Sequence, residues 1–136
     1  MNLIARDLKY WPTKQAAEND PVVADAMNAQ PKVVFSRTMD RPSWRNTRVV
    51  HDDLPGSVRQ MKQEEGEPMV ILGSGSIVQQ LAQEGLIDEL QLVVNPVALG
   101  EGKTLLSGIK DPLSFKLTKT KKFKNGNVLN CYENGG

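Results

Sequence analysis

Two short polar runs each follow an apolar run of strand length: Ser36-Arg37-Thr38 after Val33-Val34-Phe35, and Gly73-Ser74-Gly75-Ser76 after Met69-Val70-Ile71-Leu72. In the second run, Gly73 and Gly75 let the main chain approach a ligand closely, Ser74 and Ser76 bring hydroxyls, and a helix beginning near Ser76 directs its positive end at an anion. The first run presents one guanidinium and two hydroxyls, a set suited to a phosphate monoester. Each also has a plainer reading. A Gly-Ser-Gly turn is a common tight connection, and Arg37 would serve equally as a surface residue paired with Asp40.

The glycine run is neither of the two familiar phosphate loops. The third glycine of a Rossmann fingerprint would fall at Val78, and the residue about 20 positions further on is Asn95 rather than an acid. No Gly-Lys-Ser or Gly-Lys-Thr follows at the offset of a P-loop. If the two strands are neighbours, one tip would hold the pyrophosphate of a dinucleotide and the other a 2′-phosphate, selecting NADP over NAD.

The elements that must position these runs are legible from pattern. Leu3, Ile4 and Leu8 lie close to helical spacing, so residues 1–10 read as the end of a helix that Pro12 stops. Asp20-Pro21 opens a second helix to Ala29 with Val22, Val23, Ala26 and Met27 on one face. Strands follow at residues 32–35 and 47–50, then a helix capped by Asp52 or Asp53 that runs to about Glu65 with Leu54, Val58 and Met61 inward. After the strand at 69–72, Ile77, Val78, Leu81 and Ala82 repeat at helical spacing until Gly85. A strand begins at Leu90, and Asn125-Gly126 joins strands 115–123 and 128–132 in a hairpin read as a two-residue type I′ turn. The order indicates an α/β fold with a mostly parallel sheet and antiparallel edge strands.

The bulk numbers agree with one domain over residues 1–136. The 136 residues are 39% hydrophobic and 24% charged, values of an ordinary globular chain rather than a disordered one. Seventeen basic residues against sixteen acidic leave a net charge of +1, so no long-range field recruits nucleic acid or an anionic membrane, and a small-molecule partner is expected. No run reaches the roughly 18 apolar residues of a membrane span, and the N-terminus has no signal-peptide core, so a cytoplasmic location is expected. The single cysteine, Cys131, reads as a strand residue. The single histidine, His51, beside Asp52 and Asp53, reads as a surface residue rather than a base, and no metal site is expected. Trp11 and Trp44 read as packing residues. The lysines at 116, 119, 121, 122 and 124 read as the solvated face of a strand that resists aggregation.

Four segments carry a resemblance: VVFSRT (33–38), VILGSGSIVQQL (70–81), GLIDELQLVVNPVALGEGKTLL (85–106) and KNGNVL (124–129). In that order they resemble the C-terminal reductase domain family of riboflavin biosynthesis, a relative of dihydrofolate reductase. The resemblance runs from about Tyr10 to Tyr132. It implies a dihydrofolate-reductase-like α/β fold that binds NADPH and passes hydride to a pteridine-like or aminopyrimidine-like small molecule. By the same resemblance, the stretch Gly73, Ser74, Gly75, Ser76, Ile77 wraps the pyrophosphate, and Ser36, Arg37 and Thr38 lie by the adenosine 2′-phosphate. It further implies a homodimer.

The chain departs from the family pattern in two respects. Family members begin with a hydrophobic strand, a substrate-lining loop and a Gly-Arg-x-Thr turn ahead of a helix ending in Tyr-Trp-Pro, whereas Met1 here falls inside that helix. The expectation is therefore a fold without its usual first strand, without much of the substrate pocket, and with no nameable catalytic residue. The second departure is Gly73, where reductases dedicated to riboflavin synthesis carry a substrate-contacting glutamate. An alternative from another class is a catalytically silent module that binds a nucleotide or dimerises.

Overall fold

The computed structural model describes residues 2–5, 10–72 and 74–136. The chain divides into two compact units, residues 1–77 and 78–136. In the first, four strands run parallel: β1 (Asn2–Ala5), β2 (Lys32–Phe35), β3 (Thr47–Val50) and β4 (Met69–Ile71), in the order β3-β2-β1-β4. The register sets Ile4 beside Val33 on one side and Ile71 on the other, and Phe35 beside Val50. Helices α1 (Lys14–Asn19) and α2 (Pro21–Ala29) connect β1 to β2, and α3 (Leu54–Gln63) connects β3 to β4. Residues 36–46 carry the chain from the end of β2 back to the start of β3.

Asn2–Ala5 corrects the expectation of a helix end: it is a strand, and it fills the middle of the sheet. A short apolar run such as Leu3-Ile4-Ala5 does not by itself distinguish helix from strand. A single helical turn fixes several residues for one hydrogen bond, whereas a strand between β2 and β4 gains a ladder on both sides. Helix α1 was not anticipated. Thr13 caps it by accepting from the Ala16 amide at 3.2 Å.

The inward face of α2 also differs from expectation. Ala24 and Met27 are buried, while Val22 is 81% and Val23 45% exposed. Met27 sets the orientation because it packs with buried Trp44, against which Trp11 also rests. Helix α3 buries Val58 and Met61 as expected, with Leu54 half-buried. Its cap is Asp53, in the left-handed region at φ 50°, whose Oδ1 accepts from the Gly56 amide at 3.0 Å.

Lys32 is the one buried charge among the described residues of this unit, 2% exposed at the start of β2. Its Nζ donates to the carbonyls of Met27 (3.0 Å), Asn28 (3.1 Å) and Gln30 (2.7 Å), closing the C-terminus of α2, and lies 4.5 Å from the centre of the Trp44 ring. The Trp44 Nε1 donates to Asn28 Oδ1 at 2.5 Å, and Asn46 Nδ2 donates to the Ala29 carbonyl at 3.1 Å. Burial first, and the nearby Arg45 second, hold the Lys32 pKa below the ordinary lysine value.

Helix α4 (Gly75–Gln83) crosses from the first unit into the second. It ends as expected at Gly85, at φ 67°, in a Schellman motif: Leu86 N donates to Leu81 O (2.9 Å) and Gly85 N to Ala82 O (3.0 Å). The second unit holds an antiparallel sheet of β5 (Glu89–Val94), β6 (Phe115–Lys122) and β7 (Val128–Asn134), in the order β5-β7-β6. The antiparallel strands thus form a sheet of their own. The β6–β7 connection is not the expected type I′ turn, because Gly126 (φ 89°) but not Asn125 has positive φ. Gly126 N donates to Phe123 O at 3.1 Å and Phe123 N to Asn127 O at 2.9 Å, the pattern of a three-residue loop closed by a left-handed glycine. Cys131 is buried in β7, and the β6 lysines are exposed.

Candidate functional site

All four strands of the first unit are parallel, so their carboxyl ends lie along one edge, where ligands of open α/β sheets gather. Both polar runs stand on that edge. They are not on neighbouring strands, as the sequence reading supposed: β1 lies between β2 and β4, which sets the tips about 9.6 Å apart at two strand spacings.

At the β2 tip, the Ser36 amide donates to the Val50 carbonyl at 3.1 Å, extending the ladder one residue past the strand. Ser36 Oγ accepts from the amides of Met39 (3.2 Å) and Thr38 (3.4 Å), which folds residues 36–39 into a serine turn. Arg37 and Thr38 project from this turn and are exposed. The alternative partner, Asp40, does not hold Arg37: among the described residues the guanidinium has no ion pair or hydrogen bond.

At the β4 tip, Leu72 is 43% exposed and Gly73 lies outside the described residues. Ser74 follows, with its carbonyl accepting from Ile77 N at 3.1 Å. Its Oγ is buried and has no hydrogen-bond partner among the described residues. A buried hydroxyl left unpaired is destabilising by about 1–3 kcal/mol, and Gln30 Oε1, ahead of β2, is a second such group; the Ser74 hydroxyl differs in standing at the head of α4. Gly75 and Ser76 form the first turn of α4, and Ile77, 3% exposed, is turned into the core. The orphaned Ser74 hydroxyl, the helix N-terminus and the unpaired Arg37 fit a ligand with more than one phosphate group.

His51 is exposed, as expected of a surface residue, and it also stands on this edge. It follows β3 directly, and its Nδ1 lies 2.9 Å from the Ser36 carbonyl oxygen. The sequence alone does not reveal this neighbourhood: Val33-Val34-Phe35-Ser36 and Arg48-Val49-Val50-His51 run in step only once β2 and β3 pair in this register. Among the described residues no group of His, Cys, Asp or Glu side chains could hold a metal ion, and no helix is long and apolar enough to cross a membrane.

Comparison with known proteins gives a consistent result. A curated relative, the uncharacterized protein YyaP of Bacillus subtilis (strain 168), is 27% identical over 128 residues, which is 94% of this chain and 68% of that protein. Among solved structures, a riboflavin biosynthesis protein from Shewanella sp. PV-4 superposes with a TM-score of 0.73 at 19% identity, covering 99% of this chain and 74% of the other. A pyrimidine reductase-like protein from Corynebacterium diphtheriae superposes with a TM-score of 0.59 at 14% identity, covering 98% and 60%. These two likenesses show a shared α/β fold of the dihydrofolate-reductase type. The family model of the RibD C-terminal domain matches residues 5–129, through both polar runs and into the closing hairpin, and the chain therefore belongs to the RibD C-terminal domain family.

Proposed function

We propose that this chain binds NADPH at the carboxyl edge of its parallel sheet and reduces a pteridine-like or aminopyrimidine-like small molecule. The observation that carries the reading is the pair of groups on one sheet edge, the buried Ser74 hydroxyl without a partner and the exposed Arg37 guanidinium without an ion pair among the described residues. Ser74, Gly75 and Ser76, at the positive end of α4, with Gly73 before them, would hold the pyrophosphate, and buried Ile77 fixes that turn on the core. Arg37, with Thr38 and the Ser36 turn beneath it, would hold the 2′-phosphate and so separate NADPH from NADH. Bound NADPH supplies a hydride from its nicotinamide to an electrophilic carbon of the substrate. The family membership supports a reductase, and the match across residues 5–129 supports treating residues 1–136 as one functional domain. Exposed Val93, Val94, Val97 and Leu99 support a homodimer, and the reading places the protein in the cytoplasm.

The test is equilibrium binding of NADPH and NADH to the unmutated chain and to Arg37→Ala. The reading expects the substitution to weaken NADPH about tenfold to a hundredfold and leave NADH nearly unchanged. Equal affinity of the unmutated chain for both cofactors would overturn it. Tight NADPH binding without oxidation by any dihydropteridine or aminopyrimidine would instead favour a silent nucleotide-binding module.

A further inference from the structure

Strands β2 and β3 end in step, with Phe35 paired to Val50 and Ser36 N bonded to Val50 O, so His51 stands beside Ser36 and one residue from Arg37. The Ser36 carbonyl oxygen can only accept a hydrogen bond. At 2.9 Å from it, His51 Nδ1 must therefore carry the proton, which fixes the tautomer. In the neutral ring this leaves Nε2 as a bare acceptor, a poor neighbour for a phosphate oxygen. When the ring gains a proton, Nε2 becomes a charged donor while the Nδ1 bond to Ser36 is kept, so the change needs no movement of the side chain.

The charged residues nearest in the chain to His51 and to Ser36 lie on two connections. Arg37 and Asp40 are in the loop after β2, and Asp52 and Asp53 are in the link from β3 to α3. Asp53 is committed to the α3 cap through Gly56 N. Asp52 is exposed and follows the histidine directly. A phosphate dianion held beside the ring would favour its charged form. Uptake of the phosphate and uptake of the proton therefore favour each other.

We infer that His51 is a second, proton-gated cation of the phosphate subsite at the β2 tip, so that the preference for a 2′-phosphorylated dinucleotide strengthens when its ring is charged. This rests on the placement of the 2′-phosphate at Ser36–Thr38 given above. It makes His51 a specificity-determining residue, with the Ser36 carbonyl as the group that aims it.

The experiment measures dissociation constants of NADPH and NADH at about pH 6 and about pH 8 for the unmutated chain, His51→Asn and His51→Gln. Asparagine keeps a short amide donor for the Ser36 carbonyl, and neither replacement can be charged. The 2′-phosphate itself loses charge below about pH 6, and comparison with the two variants removes that contribution. The expected result is an NADPH-over-NADH ratio that, at about pH 6, is about fivefold to tenfold higher in the unmutated chain than in either variant, with less than about a twofold gap at about pH 8. Since the chain has one histidine, NMR reads the same ring directly, and it should stay protonated to higher pH with NADPH bound than with NADH.

An intact NADPH preference, identical in the unmutated chain and the variants at both pH values, would overturn this inference and leave the proposed function standing. An equal loss in both variants at both pH values would show an uncharged anchor and overturn the proton gate. Failure of the unmutated chain to distinguish or bind the cofactors would overturn both readings.

Discussion

At the amino end of the parallel sheet, one lysine ammonium meets three carbonyls and an indole ring, and both side chains of that pair are buried. At the carboxyl end of the same sheet, a buried serine hydroxyl has no partner and an arginine stands exposed without an ion pair among the described residues. The closed end also holds an unmet group, since Gln30 Oε1 is buried without a partner among the described residues, but its lysine, indole and carbonyls are paired, whereas the open edge presents a serine hydroxyl and a guanidinium that a ligand could engage. Residues 36–46 join the two ends: the turn at Ser36 begins on the open edge, and Trp44 and Asn46 anchor its return on α2. Stability and binding should therefore respond to different substitutions.

The largest effect is expected at the closed end. Trp44→Ala removes the indole that packs with Met27 and accepts the Lys32 charge, and should lower unfolding stability by about 3–5 kcal/mol in denaturant titration. Lys32→Met should cost about 2–3 kcal/mol, because three carbonyls lose their donor. Part of that loss is offset, since burial already disfavours the ammonium and holds its pKa down. In the folded Lys32→Met protein, the NADPH-over-NADH ratio should stay within about twofold of the unmutated value, because the site is at the opposite end of the strand.

The smallest effect sharpens the contrast most. Ser74→Ala removes a buried hydroxyl that bonds to nothing described, so stability should hold or rise by up to about 1 kcal/mol. The same substitution should weaken both cofactors by about threefold to tenfold, a loss of binding without a loss of fold. A substitution that destabilised the free protein would show that the hydroxyl is structural.

The sequence made visible those features set by short-range pattern. The strands at 32–35 and 47–50, the Asp53 cap, the Gly85 terminator and both polar tips follow from runs, caps and glycines whose physics is local. What was misread depends on partners far along the chain. Asn2–Ala5 is a strand because β2 and β4 flank it, and α2 turns Ala24 inward beside the expected Met27, leaving Val22 and Val23 outside, because Trp44 lies against Met27. The Lys32 node joins residues on a helix, a strand and a loop, which no spacing rule brings together. At the site, the two tips were legible, whereas the intervening strand and the bond from His51 to Ser36 required the sheet order and register.

The central claim is that two strand tips hold different phosphates of one molecule. Titrating NADPH and NADH into the unmutated chain, Arg37→Ala and Ser74→Ala tests it directly. Arg37→Ala is expected to weaken NADPH alone, while Ser74→Ala weakens both cofactors by the same factor. If each substitution instead changes both cofactors alike, or if neither changes either, the two tips do not share a dinucleotide.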